Sequence, residues 1–161
     1  MRGILRKNCG FSLIEFVIII IVLGLLVVAV SPKFIDIKSD SENASLLKVK
    51  AAIENAMMMV HAKSSIKGNQ QLRRMPGVNV EINGVILDIK HGYPLADYSG
   101  SNGSWDVLID LDEEFKSVII GGHFIVYRGE NTPTTLNEKC TVDYRQAGDI
   151  ATPPRIVLTA C

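Results

Sequence analysis

The chain has 161 residues, with 17 basic and 17 acidic side chains and a formal net charge of zero. This balance lacks the basic excess of an electrostatic nucleic-acid binder, so we expect no nucleic-acid partner. The length suits one small globular domain together with a shorter additional segment.

The N-terminal part of the chain combines a basic leader with a long apolar run. Residues 1–10 contain three basic residues and no acidic one. Residues 11–30 are long enough, at about 1.5 Å of rise per residue, to cross the about 30 Å hydrocarbon core of a bilayer as a helix. The positive-inside rule then places the N-terminus in the cytoplasm. Glu15 interrupts this run, and a carboxylate in such a segment usually marks a functional site.

The junction between leader and apolar run reads Gly10-Phe11-Ser12-Leu13-Ile14-Glu15. This pattern resembles the prepilin signature of type IV pilins and the related pseudopilins. The resemblance implies cleavage between Gly10 and Phe11 by a prepilin peptidase, followed by N-methylation of Phe11. It also implies that Glu15 pairs with the N-terminal amine of a neighbouring subunit. The fold that it implies is a long N-terminal helix packed against an antiparallel β-sheet head.

Two other interpretations of the apolar run stay open. A secretory signal peptide also has a basic region, an apolar region and a small-residue cleavage site, for which Ala29 and Ser31 are candidates. Its apolar region is usually only about 7–15 residues long, however. A plain single-pass membrane anchor matches the length of the run, but it gives no reason for Glu15 or for Gly10-Phe11.

Residues 31–64 are predicted to continue the helix as an amphipathic segment. Pro32 removes a helical hydrogen bond and Gly24 lowers helix propensity, so both are candidate kink positions. We expect the helix to end near Ser64, before Gly68-Asn69. Apolar residues at spacings of three, four and seven predict one apolar face, composed of Phe34, Ile37, Ala44, Leu47, Ala51 and Met58.

Residues 65–161 are predicted to form a β-rich globular head. Two alternating runs, 78–82 and 85–89, flank Asn83-Gly84, a strong signal for a hairpin because both turn positions need positive φ. Further strands are predicted at 118–120 and 124–127, joined at Gly121-Gly122, and at 141–146 and 156–159. One long helix followed by a series of strands predicts an α+β fold, with an antiparallel sheet laid against the helix.

The chain contains three cysteines, Cys9, Cys140 and Cys161. Loss of the leader removes Cys9 and leaves an even pair, which would close a loop of about 20 residues. Such a disulfide contributes about 3 kcal/mol and belongs in an oxidising compartment, and two buried free thiols are the alternative. Three features of the head resemble those of the mannose-sensitive haemagglutinin class of type IV pilins. They are Gly92-Tyr93-Pro94, the segment Cys140-Thr141-Val142-Asp143-Tyr144, and Cys161.

The sequence contains no motif for catalysis, and we expect neither an enzyme nor a bound metal or cofactor. Asp110-x-Asp112-x-Glu114 has the first three ligand positions of a calcium loop. Phe115 and Gly121 occupy the places of the required glycine and closing glutamate, so a solvated acidic turn is the simpler interpretation. The three histidines are His61, His91 and His123, and no two of them have the i, i+4 spacing of a zinc-binding helix.

These features predict a structural subunit of a type IV pilus that polymerises through its N-terminal helix and serves surface adhesion. The expected location is the bacterial inner membrane, as a single-pass protein, and then an extracellular pilus. The expected partners are copies of the same chain, the prepilin peptidase and methylase, the inner-membrane assembly machinery, and a host or abiotic surface. The alternatives are a pseudopilin of a type II secretion system, or an exported binding domain on a plain anchor.

Overall fold

The computed structural model describes residues 11–161, and for residues 29–36 it describes the backbone alone. It divides into two compact units, Met1–Asp40 and Ser41–Cys161. One long helix is followed by strands, so the predicted α+β class is confirmed. In chain order the elements are α1 (Leu13–Lys67), β1 (Asn79–Ile82), β2 (Val85–Lys90), β3 (Tyr93–Pro94), a 3₁₀ turn (Trp105–Val107), β4 (Phe115–Ile120), β5 (His123–Arg128), β6 (Thr141–Arg145) and β7 (Arg155–Thr159).

Helix α1 ends at Lys67, three residues beyond the predicted end. The N–H of Gly68 donates to the carbonyl of Ser65 and that of Asn69 to the carbonyl of Ser64, each at 3.2 Å. This pair of bonds is a Schellman motif, which needs a left-handed residue, and Gly68 supplies it with φ of 75°. The helix assignment runs through Gly24 and Pro32, and a bend at these positions stays a prediction.

The face of α1 that packs into the core is not the predicted one. Leu47 and Met58, on the predicted face, are 57% and 62% exposed. The prediction was wrong because apolar residues occur on more than one side of this segment, and spacing alone does not choose between them. The buried residues also follow helical spacing, and they are Leu46, Val49, Ile53, Ala56 and Val60.

The predicted membrane location is also corrected. Among residues 11–161, leaving aside the side chains of 29–36, no helix is long and apolar enough to cross a membrane. This finding contradicts the predicted transmembrane helix over 11–30 and the single-pass inner-membrane location.

Two antiparallel sheets form in the second unit, with strand orders β1-β2-β3 and β4-β5-β6-β7. The predicted β1–β2 hairpin is confirmed, and its turn residues Asn83 and Gly84 have φ of 50° and 80°. The β4–β5 hairpin is confirmed as well, with Gly121-Gly122 at its turn. A further turn at His91-Gly92 reverses the chain, and β3 pairs with β2. One sheet was predicted, whereas the structure has two.

The core of the second unit has two clusters, and α1 contributes to both. In the larger cluster, the ring of Trp105 stacks on Phe124, with centroids 4.4 Å apart, and meets Tyr144 edge to face at 4.8 Å. In the smaller cluster, Val60 packs with buried side chains of β1 and β2. The buried face of α1 therefore connects the two sheets.

Replacing Leu46 by alanine tests the corrected helix face. We expect Leu46→Ala to lower the free energy of unfolding by about 2–5 kcal/mol, because it opens a cavity in the core. The matched variant Leu47→Ala makes the same change in helix propensity at an exposed site and should cost less than about 0.5 kcal/mol. Chemical denaturation measures both, and equal losses would contradict the assignment of the face.

Candidate functional site

The N-terminal segment, defined as residues 11–28, presents apolar side chains in every direction. Val17 is partly buried in the described structure, and the other residues of the segment are exposed. Every large apolar side chain of the segment other than Val17 is at least 41% exposed, and these are Phe11, Leu13, Ile14, Phe16, Ile18, Ile19, Ile20, Ile21, Val22, Leu23, Leu25, Leu26, Val27 and Val28. Because apolar surface of this extent is unfavourable in water, the segment needs an apolar environment.

Glu15 lies in the first turn of α1. The N–H of Phe16 donates to the carbonyl of Ser12 at 3.1 Å, which places Ser12 at the N-cap position. Ser12 and Glu15 therefore have the S-x-x-E spacing of a capping box, a signal in the sequence that the prepilin pattern obscured. A carboxylate here is also favoured by the positive end of the helix dipole. Glu15 thus has a local role available besides the predicted pairing.

The segments 92–94 and 140–144 of the head meet at a buried hydrogen bond. The hydroxyl of Tyr144, in β6, donates to the carbonyl of Pro94, in β3, at 2.8 Å. Desolvation by burial raises the pKa of the Tyr144 phenol well above its usual value, so the group remains a neutral donor. The side-chain oxygen of Gln146 accepts the N–H of Ala96 at 3.0 Å beside it. These bonds join the two sheets.

Cys140 and Cys161 are joined as a disulfide, with their Cα atoms 4.4 Å apart. The bridge closes a loop with a sequence separation of 21 residues, which contains β6 and β7. The backbone N–H of Cys161 also donates to the side-chain oxygen of Asn43, on α1, at 2.8 Å. Cys161 is therefore tied both to the residue that precedes β6 and to the helix.

In the acidic segment at 110–114, Glu114 forms an ion pair with Arg128 at 2.8 Å. In the part of the chain that the structure describes, the group of potential metal ligands within reach of one another is Glu42, Cys140 and Cys161. Two of its members are bonded to each other as a disulfide, and a thiolate is the form of cysteine that binds metals.

The three histidines have different surroundings. The ring of His61 stacks on Tyr93, with centroids 4.4 Å apart, and its buried Nδ1 has no hydrogen-bond partner among the described residues. Nδ1 of His91 lies 3.3 Å from the carbonyl of Gln71. Nδ1 of His123 lies 2.9 Å from each carboxylate oxygen of Asp143. This last contact has no signal in the sequence, because the two residues are 20 positions apart and meet only through the pairing of β5 and β6.

No family model matches the chain, and no curated protein or solved structure matches it either. Phe11 and Glu15 of the prepilin-like signature lie in the described segment, whereas Gly10, on the other side of the predicted cleavage site, lies outside the described residues.

Removing the Tyr144 hydroxyl tests the junction between the sheets. We expect Tyr144→Phe to lower the free energy of unfolding by about 1–3 kcal/mol, because the buried carbonyl of Pro94 is left without a donor. The matched variant Tyr93→Phe removes a hydroxyl that forms no hydrogen bond in the described structure, and it should change stability by less than about 0.5 kcal/mol. Denaturation measures both variants. Similar losses in the free energy of unfolding would contradict a stabilising role for the hydrogen bond from Tyr144 to Pro94.

Proposed function

We propose that the chain is a type IV pilin-like structural subunit that polymerises through its N-terminal segment. The observation that carries this proposal is the apolar surface that the segment exposes along most of its length. A helix that is apolar on every side is stable only where apolar groups surround it. Burying one exposed Leu, Ile, Val or Phe side chain is worth about 1.5–3 kcal/mol, so fourteen such residues provide a large driving force for association.

Copies of the same segment are the simplest source of this environment. A bundle of identical helices offers each member apolar neighbours in several directions, which a single groove on another protein does not. Many of the exposed residues are branched aliphatic side chains, and these interdigitate well between packed helices. The proposed assembly is therefore a filament with the N-terminal segments at its centre.

Glu15 fits this assembly as the residue that sets the register between subunits. A carboxylate buried among apolar helices is costly unless a cation pairs with it. Within residues 11–161, excepting the undescribed side chains, Glu15 forms no ion pair. Cleavage between Gly10 and Phe11 would create a new amine four residues away in sequence, and the amine of a neighbouring subunit is the cation that the proposal assigns to Glu15.

The second unit would then be the displayed part of the subunit, and we propose surface adhesion as its role. This part of the proposal rests on the resemblance of Gly92-Tyr93-Pro94 and of the segment Cys140–Tyr144 to the haemagglutinin class. The disulfide between Cys140 and Cys161 supports it, because a bridge of this kind protects an exported head against unfolding.

The N-terminus of the mature protein tests the processing step. We expect intact mass and N-terminal sequencing of the natively produced protein to show a chain that begins with methylated Phe11. The mass should also be lower by two hydrogens, because of the disulfide. A chain that begins at Ser31 would indicate a signal peptide, and one that begins at Met1 would indicate no processing; either result would refute the proposed pathway.

Replacing Glu15 tests its role in assembly. In cells that carry the assembly machinery, we expect Glu15→Gln to reduce sedimentable filaments by about tenfold or more, because losing one partner of a buried ion pair costs about 3–5 kcal/mol. The matched variant Glu54→Gln removes a partly exposed carboxylate of α1 that is 3.8 Å from Lys50, and it should leave filament yield unchanged.

A third variant separates pairing between subunits from capping of the helix. Ser12→Ala removes the other half of the capping box and keeps the Glu15 carboxylate. We expect Ser12→Ala to form filaments. If it lost filaments as completely as Glu15→Gln does, while Leu47→Ala formed them normally, the role of Glu15 would be local and the proposed pairing would be wrong.

A further inference from the structure

Three basic side chains lie side by side across the four-stranded sheet. The register pairs His123 of β5 with Arg145 of β6, and Arg145 with Arg155 of β7. Residues directly opposite each other in antiparallel strands project to the same face of the sheet. The two guanidinium groups are therefore neighbours on one face, with the imidazole of His123 next to them.

This arrangement does not stabilise the sheet. Like charges directly opposite each other in neighbouring strands are destabilising. Neither Arg145 nor Arg155 forms an ion pair with any residue whose side chain the structure describes. Two adjacent guanidinium groups that form no ion pair with the described side chains provide ten N–H donors in two planar forks, a geometry that matches a bound carboxylate. The charge of the site is thus complementary to an anion.

A cavity of about 190 Å³ opens on this face. It is smaller than the about 300–1,000 Å³ of pockets that hold drug-sized ligands, so it suits one small group of a larger molecule. Asn137, on the loop before β6, and Val157 of β7 line it together with the three basic residues. It therefore combines positive charge, an amide and an apolar wall.

The loop that carries Asn137 is held in place by Glu138. The backbone N–H groups of Thr134 and Thr135 donate to its carboxylate at 2.7 and 2.8 Å. These bonds lower the pKa of Glu138 below its usual value, so the carboxylate remains charged and the loop remains tied at neutral pH. Asn137 itself has a positive φ of 67°, a conformation that asparagine tolerates better than most residues.

Asp143 lines the same cavity, but its carboxylate is engaged by His123. An ionised carboxylate is only an acceptor, so Nδ1 of His123 is the donor in this contact. Nε2 is then the ring nitrogen that remains for a ligand. This pairing leaves the two arginines as the positive groups that a bound anion would meet.

We propose that this cavity binds the carboxylate of an acidic sugar. The forks of Arg145 and Arg155 hold the carboxylate, the amide of Asn137 and Nε2 of His123 meet ring hydroxyl groups, and Val157 contacts the C–H face of the ring. The amide and the apolar wall favour a sugar acid over a simple carboxylate, which would use the arginines alone. The inference concerns the head only and does not depend on the proposed polymerisation.

Titration of the full chain in detergent with glucuronic acid tests this site, followed by NMR of the arginine side-chain N–H groups. We expect saturable shifts at Arg145 and Arg155, with at least about tenfold weaker binding of glucose and of acetate, which each lack half of the ligand. Equal affinity for acetate and glucuronic acid would refute the proposal that the ligand is an acidic sugar. Tighter binding of an acidic peptide than of glucuronic acid would also refute it and favour a protein partner.

Variants assign the binding to these residues. Arg145→Gln/Arg155→Gln should weaken glucuronic acid binding by about tenfold or more, because charged hydrogen bonds are lost. Arg73→Gln, a matched change at an exposed arginine outside the sheet, should leave binding unchanged. The double variant should unfold at the same or a higher temperature than the parent, because the like-charge pair is relieved. Unchanged binding of glucuronic acid by the double variant would overturn the proposal.

Discussion

The buried hydrogen bond between Tyr144 and Pro94 is the contact on which the architecture of the head depends. It joins the four-stranded sheet to the three-stranded sheet, whose buried side chains pack in two different clusters of the core. The ring of Tyr144 is fully buried against Trp105, whose indole N–H donates to the carbonyl of Ala96 at 3.2 Å. A buried polar network of this kind is stabilising only when each of its members has a partner, so the two sheets are positioned together.

The turns of the head could be predicted from the sequence because their constraint is local. Asn83-Gly84 and Gly121-Gly122 both require positive φ at two successive residues, and few residue types tolerate that. The position of each turn then determines the register of the two strands that flank it, so these strands could be predicted as well. The turn at His91-Gly92 obeys the same rule, with φ of 52° and 82°. It was missed as a hairpin because β3 has only two residues and carries no alternating pattern.

The packing of the helix could not be predicted in the same way. Leu46 and Leu47 are adjacent, and each continues a series with helical spacing, yet one is fully buried and the other is exposed. The choice between them is made by the residues of β5 and β6 that pack against α1, which lie some 80 to 100 positions further along the chain. Similarly, the bonds from Tyr144 to Pro94 and from Gln146 to Ala96 each span 50 residues. A local pattern contains no information about contacts at this separation.

The same distinction applies to the two candidate sites. The N-terminal segment is defined by consecutive residues, so both its apolar character and Glu15 are visible in the sequence alone. The basic row on the sheet is not, because Arg145 and Arg155 become neighbours only through the β6–β7 register and His123 only through the β5–β6 register. A shift of either register by one residue would move one side chain to the opposite face and remove the site. The loop closed by Cys140 and Cys161 contains β6 and β7, so the disulfide constrains the strands on which both arginines lie.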